Sequence, residues 1–103
     1  MGKRVVKILR ADQWRTLRDE GRFDGSDADL RDGFIHLSLP EQVEGTLQRH
    51  FADRHDLWLV SFDADTLGDA LRWEPSRGGA LFPHLYGPLT LDRVVDAAPL
   101  ARA

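Results

Sequence analysis

Leu57-Trp58-Leu59-Val60-Ser61-Phe62 decides how this chain folds. Only Ser61 interrupts the apolar run, and a strand apolar on both faces belongs in the middle of a sheet, covered above and below. Upstream, Val5-Val6-Lys7-Ile8-Leu9 reads as a first strand, with Val6 and Ile8 on one face and Val5, Lys7 and Leu9 on the other. Asp12 then opens a helix that runs to a stop at about Gly21, with Trp14 and Leu17 as its core stripe. Residues 22–33 are rich in Gly, Asp and Ser and read as a surface loop pinned by Phe23. Phe34 to Ser38 is the second strand, placing Phe34, His36 and Ser38 on one face and Ile35 and Leu37 on the other. Ser38 and Glu41 match a capping box for a helix to about Asp53, with Pro40 in its first turn and Val43, Leu47 and Phe51 facing the core.

Downstream of the apolar run, Ala70 to Glu74 alternates as a strand with Leu71 and Trp73 inward, and Pro75 ends regular pairing. Arg93 to Ala97 supplies the last strand. The order strand-helix-strand-helix-strand-strand-strand predicts an α+β fold, a small single domain over residues 1–103 with a twisted mixed β-sheet and two main helices. Too few crossover helices are present for a doubly wound fold.

Composition narrows the setting. A formal charge of −3 removes the global basic field that would hold a nucleic acid by its phosphates, so no general nucleic-acid binding is expected. The basic residues, apart from Lys3 and Lys7, are all arginine, which fits either anion clamps or the codon bias of a GC-rich genome. With no cysteine, disulfides, thiolate chemistry and a zinc ribbon are excluded. The start, Met-Gly-Lys-Arg-Val-Val-Lys-Ile-Leu, does not read as a signal peptide, and no apolar stretch approaches the roughly twenty residues of a membrane span. The expected location is cytoplasmic, as a monomer or weak homodimer.

The segment Trp73 to Tyr86 gathers a carboxylate, hydroxyl, guanidinium, imidazole and phenol without helical or strand periodicity. Loops of this length in compact domains are usually functional. Glu74 at a strand end can hold a catalytic histidine or polarise a hydroxyl, and His84 can transfer a proton. Tyr86 offers a stacking surface for a base. Arg77 beside Gly78 and Gly79 can form an anion-binding concavity of backbone N–H groups, or simply a tight turn with a solvated Arg. The partner of this segment is Asp32-Gly33-Phe34-Ile35-His36-Leu37-Ser38, where His36 is either functional or a hydrogen-bonded structural residue. Ser38 beside His36 allows a serine hydrolase reading, but no Gly-x-Ser-x-Gly elbow supports it, and helix capping or ligand contact suits Ser38 better. His36, His84 and Glu74 lack any tight metal-ligand spacing, so no metal is assigned.

The motifs Asp-Gly-Phe-Ile-His-Leu-Ser at 32–38, Trp-Glu-x-Ser-Arg-Gly-Gly at 73–79 and Phe-Pro-His-Leu-Tyr-Gly at 82–87 resemble the family called domain of unknown function 952. That family is remotely similar to the ADP-ribosyltransferase superfamily, particularly the NAD-using RNA 2′-phosphotransferases. The resemblance implies an ADP-ribosyltransferase-like fold, with NAD as a candidate substrate and no other cofactor. In those enzymes an early strand carries a ribose-holding His and a later one reads Val-His-Leu-Ser. Phe34-Ile35-His36-Leu37-Ser38 matches the second feature, whereas Lys7 stands where the first His is expected. The combined expectation is a cleft for a nucleotide-like or phosphorylated small molecule. His36, Glu74 and His84 would be catalytic, and Ser38, Arg77, Gly78, Gly79 and Tyr86 would bind the ligand. The alternative is a non-enzymatic metabolite-binding or interaction module.

Overall fold

A computed structural model describes residues 3–100, with the Arg77 side chain outside the description. In chain order the elements are β1 (Arg4–Arg10), α1 (Ala11–Glu20), β2 (Arg22–Phe23), α2 (Asp27–Asp32) and β3 (Ile35–His36), followed by α3 (Val43–His50), β4 (Leu57–Asp63) and α4 (Ala64–Leu67). β5 (Leu71–Pro75), β6 (Leu81–Leu85), β7 (Leu89–Thr90) and β8 (Val94–Pro99) complete the chain.

β4 is central, as its sequence requires, lying between β1 and β8 with antiparallel pairing to both. Its register with β1 sets the two faces: Val5↔Phe62, Lys7↔Val60 and Leu9↔Trp58 share one, and Ile8↔Leu59 lies on the other. On the first, Val5, Leu9, Val60 and Phe62 pack with Leu17 of α1, and Trp14 stacks on Trp58 at 5.4 Å between ring centroids. On the second, Ile8 and Leu57 pack with Leu47 of α3, flanked by Val43 and Phe51. Both faces are therefore sealed by the helices whose apolar stripes faced them in the sequence.

The remaining strands depart from one mixed sheet. β3, β6 and β5 form a separate antiparallel sheet, β2 and β7 a two-stranded ribbon, and every pairing among the described strands is antiparallel. One bridge joins the β3 sheet to β1: Val6 N–H donates to the Ser38 carbonyl at 2.8 Å, and Ser38 N–H to that of Val6 at 2.9 Å.

The stretch from Trp73 to Tyr86 is not an irregular loop but chiefly the β5–β6 hairpin, with Pro75 still paired to Leu81. Its period of two is disguised because one face carries polar and aromatic groups (Arg72, Glu74, Phe82, His84) while the other contains Pro83. Pro83 is tolerated because its carbonyl accepts from Leu37 N–H, and a strand residue's N and O point the same way. Its donorless nitrogen thus lies beyond the end of β3 rather than in the β5 ladder. Trp73 does not turn into the core. The hairpin overshoots the packed layer, so Leu71 and Leu85 reach the core while Trp73 stays 37% exposed beneath the Lys3 ammonium.

Two helix starts also differ from expectation. Gln13 rather than Asp12 caps α1, its Oε1 accepting from Arg10 N–H at 2.9 Å. Gln42 does the same for Leu39 N–H, so a 3-10 turn at Pro40–Gln42 leads into α3 and Ser38 is freed from capping. Because Phe62 is fully buried between the helices and the second sheet, Phe62→Ala is expected to lower the unfolding free energy by roughly 3–5 kcal/mol. Urea titration should show a change under about 0.5 kcal/mol for the exposed Leu30→Ala.

Candidate functional site

The site grows from α2, in a region whose composition reads as loop. Ser26 caps this helix: its Oγ accepts from Asp29 N–H at 3.2 Å, and Asp29 Oδ2 accepts from Ser26 N–H at 2.9 Å. Gly25 stands where a Cβ would come within 2.8 Å of the Asp29 Cβ, so only glycine lets the chain pass. Asp29, 2% exposed, collects three further donors: the Lys7 ammonium on Oδ2 at 2.9 Å, and His36 N–H (3.1 Å) and Nδ1 (2.7 Å) on Oδ1. Lys7 also donates to the His36 carbonyl at 3.0 Å. Burial alone would raise the Asp29 pKa. The His36 hydrogen bond and the Lys7 charge outweigh it and hold the carboxyl far below the usual range. Burial pushes the Lys7 ammonium down from its ordinary 10.5, against the pull of Asp29.

Because the His36 backbone N–H and carbonyl are used by Asp29 and Lys7, the His36↔His84 pair faces its partner strand without mutual backbone bonds, the closer of the two antiparallel spacings. The rings lie 5.6 Å apart at 69°. Phe34 packs against both, 4.6 Å from His36 and 4.1 Å from His84. His36 Nε2 meets Asp32 Oδ2 at 3.0 Å, so both ring nitrogens face carboxylates, and an imidazole can donate at both only as the cation. His84 Nδ1 lies 2.8 Å from Glu74 Oε1, which also accepts from the Tyr86 hydroxyl at 2.8 Å. These two bonds hold the Glu74 pKa below its ordinary 4.5, and the carboxylate in turn raises that of Tyr86. His84 Nε2 has no hydrogen bond among the described residues.

His36, His84 and Ser38 line one cleft of about 720 Å³, within the span usual for small-molecule sites. Lys7, Arg10, Arg31, Arg49 and Arg54 also border it, against Asp29 and Asp32 as the carboxylates among the described residues. Arg10, Arg31 and Arg54 are tempered by ion pairs with Asp12, Asp32 and Asp56. Glu74, Tyr86, Gly78 and Gly79 lie outside the lining of this cleft. Glu74 stands behind His84, and Tyr86 is occupied within the protein, its hydroxyl on Glu74 and its ring 5.1 Å from the Arg72 guanidinium carbon. Gly78 and Gly79 do adopt positive φ, but Gly79 N–H donates to the Ser76 carbonyl at 2.8 Å and is spent on the turn. The Arg77 side chain lies outside the described residues. Ser38 Oγ meets Thr46 Oγ1 at 3.1 Å, which leaves it without a histidine to activate it among the described residues.

Asp29, Asp32 and Phe34 complete the arrangement without having been singled out by sequence. Ser26-Asp27-Ala28-Asp29 carries a signal, a second Ser-x-x-acid capping pattern.

The family described as "Protein of unknown function (DUF952)" matches residues 8–97, which contain β3, β5 and β6 entire. The chain belongs to this family. Among solved structures, the crystal structure of protein CC0527 from Caulobacter crescentus is similar at 45% identity, with a TM-score of 0.93 over 97% of this chain and 88% of that one. The solution NMR structure of CC0527 gives a TM-score of 0.87 at 45% identity, over 97% and 86% of the two chains. No curated protein matches. The α+β fold is thus shared with CC0527. No helix is long and apolar enough to cross a membrane among the described residues.

Removing Asp29 strands a buried lysine, so Asp29→Ala is expected to cost roughly 3–5 kcal/mol, part of it recovered by adding Lys7→Met. The depressed Asp29 pKa fixes the sign of the acid response: its contribution is fully present above the unfolded value near 3.8 and is lost as pH falls towards the folded one. Thermal melts should therefore show wild-type stability falling below about pH 4, with a shallower acid limb for Asp29→Asn.

Proposed function

We propose that the cleft binds a phosphorylated, nucleotide-like small molecule and exchanges a proton with it at His84. The observation that carries this reading is the Nε2 of His84, without a hydrogen bond among the described residues, in a cleft bordered by arginines, with Nδ1 held by Glu74. A carboxylate on Nδ1 fixes the tautomer and leaves Nε2 as an acceptor, the arrangement of a positioned general base. Arginines at the rim suit the planar, multiply charged oxygens of a phosphate. Glu74 acts here as a positioning residue. NAD and ADP-ribose fall within the ligand class, and transfer or cleavage at an ADP-ribose linkage is the chemistry that the remote transferase resemblance would add. A cytoplasmic protein acting as a monomer or weak homodimer fits this reading.

A non-catalytic module is favoured by one feature, the occupation of both His36 nitrogens by Asp29 and Asp32. Titration of the 15N-labelled protein with AMP, pyrophosphate, ADP-ribose and NAD separates these readings. Saturable shifts should centre on His36, Ser38 and His84, and Glu74→Gln should weaken any turnover more than binding. Shifts confined to the far side of β4, or none at millimolar ligand, would refute the cleft. Binding without product from any of the four would favour the module.

A further inference from the structure

The two histidines share an anchored Nδ1 and differ at Nε2, and that difference assigns each a role. Both anchor Nδ1 on a carboxylate, His36 on Asp29 at 2.7 Å and His84 on Glu74 at 2.8 Å. Both rings border the same cleft, 5.6 Å apart. His36 carries a second carboxylate, Asp32, on Nε2 at 3.0 Å, whereas Nε2 of His84 carries none among the described residues. One ring is thus held with a proton to give, the other with a lone pair to receive one. The anchors are unequal in the useful direction. The Asp29 and Lys7 side chains are 2% and 8% exposed and tie His36 to the core, while Asp32 is 35% exposed at the open end of α2, where an incoming oxygen can replace it.

We infer that His36 and His84 form a general acid–base pair for transesterification of a small ribonucleoside phosphodiester. A paired acid and base serves a reaction in which one oxygen loses a proton as another gains one. Arg49 on the border of the cleft, with the ion-paired Arg10, Arg31 and Arg54, suits a phosphate as the reacting group. A hydroxyl on the carbon beside the ester supplies the nucleophile at high effective concentration. His84 Nε2 takes the proton of the 2′-hydroxyl as its oxygen bonds to phosphorus. The bond from phosphorus to the departing 5′-oxygen breaks, and that oxygen takes the His36 Nε2 proton displaced from Asp32. The products are a 2′,3′-cyclic phosphate and an alcohol, with the two histidines left in exchanged protonation states that solvent resets. No redox partner or co-reactant is needed. The size of the cleft and the net charge of −3 favour a dinucleotide-sized substrate over a polymer. This inference rests on the proposed phosphate-binding cleft and specifies its reaction.

The test uses two ribonucleoside diesters that differ in leaving group, uridylyl-3′,5′-adenosine and uridine 3′-(p-nitrophenyl phosphate), with 2′-deoxy counterparts as unreactive controls. Wild-type protein should form cyclic phosphate, visible by 31P NMR, from both ribose substrates and neither deoxy one. The variants are His36→Asn and His84→Asn, since an Asn amide can keep the donor to Asp29 or Glu74 and so preserve the fold, checked by thermal melts. His84→Asn should lose roughly 10²–10⁴-fold in kcat/KM on both substrates, and His36→Asn a comparable factor on the adenosine ester only. A p-nitrophenolate departs without a proton, so the acid is dispensable there. Equal losses on both substrates for His36→Asn, or no cyclic phosphate from wild type, would overturn the pair. Should the deoxy dinucleotide still shift His36 and His84 in the absence of cleavage, the cleft stands and only this chemistry falls. Should it not bind, both fall.

Discussion

The Asp29 carboxylate is the constraint that joins β1, α2 and β3 and so places the histidine-bearing strand. It accepts from Lys7 on β1, from the Ser26 N–H at the start of α2, and twice from His36 on β3. A helix of six residues has little stability of its own. Here it is held by a group that simultaneously caps it, neutralises a buried ammonium and orients an imidazole. A buried ion pair is a poor source of net stability against an apolar replacement, because desolvation offsets most of the attraction. Its value in this fold is specificity: the pair dictates where α2 sits and thereby which atoms of His36 face the cleft.

The same hub fixes the part that Lys7 plays. Its ammonium is turned into the protein, towards Asp29 and the His36 carbonyl. The charge is committed internally. The side chains that β3 and β6 bring to the cleft are the imidazoles of His36 and His84.

Much of the central sheet was legible in the sequence because it obeys one rule per element. Leu57–Phe62 is apolar on both faces, and Val43, Leu47 and Phe51 recur every four residues, so periodicity and burial agree. In the β5–β6 hairpin, β5 was legible as the alternating stretch from Ala70 to Glu74, but β6 was not, since a strand with Phe82 and His84 on one face and Pro83 on the other has no hydrophobic alternation to read. His36 and His84, which both border the cleft, stand out in the sequence because imidazoles in short motifs rich in Gly and aromatics are conspicuous. Asp29 was hidden for the opposite reason. One aspartate among five between Asp19 and Asp32 looks like a solvated surface, and only the three-dimensional approach of Lys7 and His36 distinguishes it.

The seam between the two three-stranded sheets is narrow. Two backbone bonds at Val6 and Ser38 carry it, reinforced by the Lys7 ammonium spanning from β1 to the carbonyl of β3. What the backbone leaves undone the side chains supply: Ile35, Leu37 and Leu85 of the histidine-bearing sheet lie in one buried cluster with Val5, Val60 and Phe62 of the central sheet. The sheet is therefore anchored by close packing on its inner face, and its outer face is left to carry the two imidazoles.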